Sequence, residues 1–171
     1  MRYRWWAVPA AVGAAALIAA CGNSAAPSTG ASQVKASAGQ VTTASTSKGT
    51  VMVDSKGDTI YWFAIDTPTK SNCTGQCLSF WPPVTGKVTA APGSKLSGTF
   101  GTITDANGKV QATYDGHPLY TFSGDTSPGA VKGNGVNTSG GLWWAMTPTA
   151  AKLAASSSSS SSSGSSGGYG Y

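Results

Sequence analysis

The feature that most constrains the fold of this chain is a motif that occurs twice, 59 residues apart. Five positions recur at this constant offset: Gly57, Ile60, Tyr61, Phe63 and Asp66 in the first copy, and Gly116, Leu119, Tyr120, Phe122 and Asp125 in the second. Tyr and Phe two positions apart lie on the same face of a strand, so both are predicted to pack inward. The Asp follows the strand, where its carboxylate can accept hydrogen bonds from turn amides. The motif therefore predicts two similar hairpin units, with a structural role for its Tyr, Phe and Asp residues.

The apolar segments around the motif are short and separated by turn residues. Asn107-Gly108 and Asp115-Gly116 lie between β-rich runs, a pattern typical of hairpins. Strands are predicted at 50–54, 59–65, 99–104, 109–114, 117–122 and 142–147, and residues 76–81 are a candidate for one helical turn. Each copy then continues to tryptophan and proline: Trp81-Pro82-Pro83 in the first, Trp144 and Pro148 in the second. The fold class is therefore mainly β, a single compact domain of antiparallel hairpins built from divergent repeats at about 49–86 and 109–148.

Residues 1–20 have the three parts of a secretory signal peptide. Arg2 and Arg4 precede an apolar run at 5–20, and Leu17-Ile-Ala-Ala-Cys21 places a cysteine directly after small residues. This lipobox resembles that of bacterial lipoprotein precursors, in which the cysteine becomes the acylated first residue. The alternative is an uncleaved anchor, but the run is shorter than the roughly 20 residues that a spanning helix needs. We therefore expect Cys21 to be lipidated, and the protein to be extracytoplasmic and lipid-anchored to the bacterial cell membrane.

Both flanks of the predicted domain are poor in residues that build a core. Residues 22–48 are rich in Ser, Thr, Ala and Gly and contain no aromatic residue, so 21–48 is predicted to be a flexible tether that begins at Cys21. A serine run and Gly-Gly-Tyr-Gly-Tyr make up most of 154–171, which is predicted to be a disordered tail. The β-repeat domain is accordingly placed at 49–153, a length that supports a modest core.

The charge pattern does not favour a nucleic-acid partner. Beyond the signal peptide there is no Arg and no Glu, and nine Lys against six Asp give a formal side-chain charge of +3. Phosphate recognition favours the guanidinium fork of arginine. A nucleic-acid binder should also show a clustered basic stripe, whereas these lysines are scattered. We therefore expect no nucleic-acid partner.

Once Cys21 is committed to lipid, Cys73 and Cys77 are the remaining cysteines. In an oxidising compartment they are predicted to form a structural disulfide, with Gly75 easing the tight loop between them. A redox-active dithiol is the alternative, and it would need a cation such as Lys70 to lower the thiol pKa. Two sulfurs and a single histidine do not fill a four-ligand zinc shell, so no metal site is predicted.

These features together identify a resemblance. The lipobox, the doubled Tyr-x-Phe-x-x-Asp, Cys73-x3-Cys77, Phe80-Trp-Pro-Pro83 and the run from Gln111 to Phe122 resemble the bacterial secreted-repeat lipoproteins. That family is described by a Tyr-x-aromatic-x-x-Asp motif, and its molecular function is not established. The resemblance covers 49–148 and implies a surface location and repeat architecture. It supplies no catalytic residue.

No catalytic constellation emerges from the other residues. His117 is the only histidine, and between Gly116 and Pro118 it is predicted to be a partly exposed turn residue rather than a general base. A glycosidase would have to pair two aspartates, and the repeated Asp66 and Asp125 instead suggest matching turn roles. We therefore predict no catalytic residue, no cofactor and no enzymatic activity.

The chain is rich in aromatic rings and poor in leucine, so most rings are predicted to form the core. Trp143 and Trp144 are adjacent and must point to opposite faces of a strand. One of the two is therefore a candidate for an exposed aromatic contact.

The sequence thus favours a non-enzymatic, surface-tethered lipoprotein that binds or scaffolds a component of the bacterial envelope. Its expected partners are the membrane, through the lipid anchor, and an envelope protein or the cell wall. The alternative is an extracytoplasmic redox protein that uses Cys73 and Cys77 or a bound redox ligand.

Overall fold

The computed structural model describes residues 34–153. The predicted signal peptide, the lipidation site Cys21, most of the predicted tether and the predicted tail lie outside the described residues. No helix within 34–153 is long and apolar enough to span a bilayer.

The described chain is built from short strands, which confirms the mainly β prediction. The elements are β1 (Gln40–Thr46), β2 (Gly49–Val53), β3 (Tyr61–Phe63), α1 (Cys77–Phe80), β4 (Thr89–Ala90), β5 (Phe100–Thr104), β6 (Val110–Tyr114), β7 (His117–Pro118), β8 (Asn137–Thr138) and β9 (Gly141–Ala145). They form three small sheets, with strand orders β2-β1-β4, β3-β9-β8 and β5-β6-β7.

Each repeat begins with an antiparallel hairpin. In the first repeat β1 pairs with β2, and in the second β5 pairs with β6. The prediction that the tether extends to residue 48 is wrong, because β1 lies within it and buries Val41 and Ala44. The Ser/Thr/Ala-rich composition of this segment, which has no aromatic residue, is typical of a tether, but pairing with β2 stabilises it as a strand. The second repeat likewise begins at β5, before the predicted residue 109.

Two further expectations differ from the structure in extent. The strand predicted at 59–65 is shortened to β3, because the chain turns directly after Phe63. The strand predicted at 117–122 is reduced to β7 and to two isolated bridges of Tyr120, one with Tyr61 and one with Pro83.

The last segment of each repeat pairs with the other repeat. In the second repeat, β9 pairs antiparallel with β3 of the first, with Phe63 opposite Trp143. In the first repeat, the backbone N–H of Val84 donates to Leu119 O at 2.9 Å, and Ala112 N–H donates to Val84 O at 2.8 Å. The two repeats are thus joined by a reciprocal exchange of segments.

A local two-fold symmetry follows from this exchange. At its centre Tyr61 and Tyr120 exchange both backbone hydrogen bonds, with N···O distances of 2.8 and 2.9 Å. The core falls into two clusters of buried side chains, one around Tyr61, Phe63, Trp81 and Trp143 and one around Met52, Ile60, Tyr114 and Leu119.

Candidate functional site

The repeated Tyr and Asp residues lie together in reciprocal pairs across the two repeats. The hydroxyl of Tyr61 donates to Asp125 Oδ2 at 2.5 Å, and the hydroxyl of Tyr120 donates to Asp66 Oδ2 at 2.6 Å. Each tyrosine of one repeat therefore binds the aspartate of the other. Both tyrosine side chains are fully buried.

The second oxygen of each carboxylate accepts a backbone N–H from the loop that follows the same aspartate. Asp66 Oδ1 accepts the backbone N–H of Asn72 at 2.7 Å, and Asp125 Oδ1 accepts that of Lys132 at 2.9 Å. The structure thus places both aspartates at turn amides, and the tyrosine contacts are an addition that the sequence did not indicate.

Burial sets the protonation behaviour of these four groups. It raises the pKa of both Asp66 and Asp125, and this effect outweighs the hydrogen bonds that favour their charged forms. Burial also raises the pKa of Tyr61 and Tyr120, and hydrogen bonding to the carboxylates raises it further. Both tyrosines therefore remain donors at neutral pH.

Four aromatic rings stack through the centre of the same cluster. Trp81 and Trp143 lie face to face with ring centroids 3.9 Å apart, and each stacks on one phenylalanine. Phe63 lies 4.1 Å from Trp143, and Phe122 lies 4.3 Å from Trp81. Phe63 is fully buried whereas Phe122 is only partly buried, so the two phenylalanines do not occupy equal environments.

This stack corrects the sequence alignment of the two tryptophans. The residue equivalent to Trp81 is Trp143, not Trp144, because Trp81 and Trp143 face each other across the local axis. The spacing between them is 62 residues rather than 59, since the loop after Asp125 is longer than the loop after Asp66. Aligning the last segments separately from the motif could have revealed the equivalence.

The predicted exposed aromatic contact is not a freely exposed ring. Trp143 is fully buried, which removes it from the candidates. Trp144 is on the opposite face of β9 and is half-buried, with Lys152 Nζ 5.3 Å from its ring centroid. The ring of Trp144 is therefore already covered in part by the chain itself.

The structure contains the predicted disulfide between Cys73 and Cys77, with a Cα–Cα distance of 5.4 Å. The two cysteines are 1% and 8% exposed and belong to the same core cluster as Trp81. Thiol–disulfide exchange requires access for an attacking thiolate, so this burial favours a structural bond over a cycling one.

His117 is half-buried at β7, where its ring lies 4.4 Å from that of Trp62. Burial lowers its pKa, and the negative charge of Asp115 opposes this shift. Within 34–153 the structure brings together no group of three or more potential metal ligands.

An open concave surface of the described domain is a groove between the first hairpin and the loop after Asp125. We call it the hairpin groove and define it by Val53, Gly57 and Pro128, which line both of its adjoining cavities. The cavities have volumes of about 370 and 270 Å³. The charged residues that line the larger cavity are Lys35, Lys56 and the half-buried Asp54, and hydroxyl side chains of Ser45 to Ser47 line the smaller.

Gly57 is required for the shape of this groove. Its φ is +87°, and a Cβ at this position would lie 2.9 Å from Pro128 Cβ. Its carbonyl accepts the N–H of Gly129 at 2.9 Å, which holds the two repeats together at the groove. Sequence reasoning missed the groove, because nothing in the sequence places Pro128 beside residues 71 positions earlier.

Comparison with known proteins identifies one relationship. A family model described as a secreted repeat of unknown function matches residues 42–85 and 101–147, and this description implies an extracytoplasmic location. The two matched segments correspond to the two repeats seen in the structure. No curated protein and no solved structure matches the chain.

Proposed function

We propose that this chain, which belongs to the family of secreted repeats of unknown function, is a non-enzymatic binding or scaffold module of the bacterial envelope. We further propose that a lipid on Cys21 tethers it to the outer face of the cell membrane. The hairpin groove is the observation that carries the binding role.

The groove has the properties of a recognition surface rather than of a reaction site. It is concave, it is built by both repeats, and it presents the exposed cations Lys35 and Lys56 beside serine and threonine hydroxyls. The carboxylate that also lines it, Asp54, is partly engaged, because its Oδ1 accepts the backbone N–H groups of Lys56 and Asp58. The tyrosines and aspartates with raised pKa values, in contrast, are bonded to each other, with both tyrosines fully buried and both aspartates partly buried. The separation of the groove surface from the Tyr–Asp pairs supports binding of a polar or anionic envelope component without chemical turnover.

The binding role can be tested by sedimentation of the protein with purified cell-envelope fragments. Replacing both groove lysines, Lys35→Ser with Lys56→Ser, should weaken binding at least about fivefold if the groove is the contact surface. Lys95→Ser with Lys109→Ser is the matched control, since it removes the same charge from exposed positions outside the groove. Equal binding by all three proteins would contradict the proposal.

The anchor is tested separately by mass spectrometry of the mature N-terminus. We expect an acylated cysteine at position 21, and Cys21→Ser should leave the protein unprocessed or mislocalised. A mature N-terminus with an unmodified amine at a residue other than Cys21 would contradict the proposed lipid anchor.

The redox alternative makes an opposite prediction for Cys73 and Cys77. As a buried structural bond, the disulfide should resist mild reductants in the native protein and react only after unfolding. Native-state thiol titration measures this difference. A pair that reduces and reoxidises while the fold is intact would favour the redox function.

A further inference from the structure

Strand β5 has one edge that pairs with no other part of the described chain. On its inner side it pairs with β6 from Phe100 to Thr104. On the side of β6 that faces away from β5, Ala112 N–H donates to Val84 O and Ala112 O accepts the N–H of Leu119. Ala112 therefore makes no backbone hydrogen bond to β5. Because bonded and non-bonded pairs alternate in an antiparallel ladder, Gly101 and Ile103 bond to β6.

The same alternation directs the backbone of Phe100, Thr102 and Thr104 outward. These residues present three N–H groups and three carbonyls in a row at the free edge. Their spacing is symmetric about Thr102, so the row is complementary to itself when a second strand runs in the opposite direction.

The first repeat shows how an equivalent edge is covered. Val41 occupies in β1 the position that Phe100 occupies in β5, 59 residues later. There β4 runs alongside, and Ala91 N–H donates to Val41 O at 2.8 Å. Val41 is accordingly 1% exposed, whereas Phe100 is only partly buried.

The β5 edge also lacks the devices that usually prevent strand pairing. Its sequence from Leu96 to Thr104 contains no charged residue and no proline, although the chain beyond the predicted signal peptide carries a formal side-chain charge of +3. Uncharged edges without lysine, proline or bulges are templates for pairing with another chain. At the β5 edge, two copies of a protein with a net positive charge can pair without placing like charges opposite each other.

We propose that β5 is the interface for a second copy of this chain, which pairs with it antiparallel about a two-fold axis at Thr102. This register alone aligns all three outward residues, with Thr102 opposite its counterpart and Phe100 opposite Thr104. The two β5-β6-β7 sheets then join into one continuous sheet of six strands. This interface is independent of the hairpin groove and of the proposed binding role.

The register can be tested by disulfide cross-linking of the full chain. Directly opposed residues of a bonded antiparallel pair have Cα atoms about 5.5 Å apart, within the range that a disulfide spans. Thr102→Cys should therefore give a dimer band on non-reducing gels, at least about fivefold stronger than that of two controls. Thr104→Cys lies on the same strand but out of register, and Thr126→Cys is exposed elsewhere.

Sedimentation velocity of the full chain without any introduced cysteine provides a second measurement. It should show concentration-dependent dimers, and Thr102→Lys should abolish them by placing two cations opposite each other. Cross-linking that is equal for the three cysteine variants, or absent for Thr102→Cys with a monomeric parent chain, would overturn the proposal. Cross-linking that appears only after deletion of 154–171 would show that this segment occupies the edge instead, and would also overturn it.

Discussion

At the scale of single residues, the distinctive contacts are the two reciprocal Tyr–Asp pairs. Each aspartate uses one oxygen for a turn amide of its own repeat and the other for a tyrosine hydroxyl of the opposite repeat. A buried donor or acceptor left without its partner costs more than the net gain of an ordinary hydrogen bond. These pairs therefore make the two repeats depend on each other.

Replacing Tyr120 by Phe keeps the ring but removes the donor to Asp66. We expect the free energy of unfolding to fall by about 1–3 kcal/mol, because both Asp66 and the buried hydroxyl of Ser71 lose their hydrogen bond to the Tyr120 hydroxyl. Denaturant unfolding of Tyr120→Phe, Asp66→Asn and the double variant should reveal a coupling of about 0.5–3 kcal/mol. The cycle of Tyr61 and Asp125 serves as the symmetric comparison, and strict additivity in both cycles would contradict the assignment.

The raised pKa values of Asp66 and Asp125 predict a pH dependence of stability. Because the folded state binds these protons more tightly than the unfolded chain, their contribution to stability is complete below the ordinary pKa of 3.8. It is lost as pH rises through the raised folded-state values. Unfolding curves from about pH 7 to about pH 4 should therefore show a gain on acidification.

The Asp66→Asn and Asp125→Asn double variant is the control for this pH dependence. It should lack the part of the gain that comes from these two carboxyls. The same slope in the variant and the parent protein would assign the effect to other groups.

At the scale of elements, the stack of Trp81 and Trp143 joins segments that belong to different repeats. Trp143 lies on β9, and Trp81 follows α1, whose first residue carries the disulfide. The same cluster brings together Phe63 and Phe122, for which the motif alone predicts equal burial. The structure distinguishes them, since only Phe63 is fully enclosed.

Truncation of the two phenylalanines should therefore have unequal effects. Phe63→Ala should lower the free energy of unfolding by about 3–5 kcal/mol, the cost of a large cavity in a packed core. Phe122→Ala should cost less, about 1–2 kcal/mol, because part of this ring is already in water. Thermal or urea unfolding of the two variants checks the order, and equal losses would indicate that Phe122 is as enclosed as Phe63.

At the scale of the whole molecule, the exchange of segments implies that neither repeat has a complete core. The first repeat needs β9 against β3, and the second needs the segment around Val84 against Leu119 and Ala112. The two repeats should therefore fold as one cooperative unit rather than as independent domains.

Separate peptides of residues 34–91 and 92–153 test this dependence. Each should be largely unfolded alone, and an equimolar mixture should regain the near-ultraviolet circular dichroism of the packed tryptophans. A second peptide shortened to 92–140 lacks β9 and should fail to complement the first. A stable fold of either peptide alone would refute the exchange as the basis of stability.

The sequence by itself determined the fold class, the two repeats and the disulfide pair. These follow from local rules: turn residues separate short β-rich runs, the period-two spacing of Tyr and Phe defines one strand face, and Cys73 and Cys77 are close along the chain. Local composition did not indicate β1, since a strand poor in apolar residues is defined by its pairing with β2 rather than by its own side chains.

Only the tertiary structure decided which residues meet across the repeats. The Tyr–Asp pairs, the Trp81–Trp143 stack and the hairpin groove all join positions more than 50 residues apart. A periodic pattern specifies which face of a strand is buried, but not which distant segment covers that face. Here the covering segment comes from the opposite repeat, and its choice depends on packing and backbone pairing that exist only once both repeats have folded together.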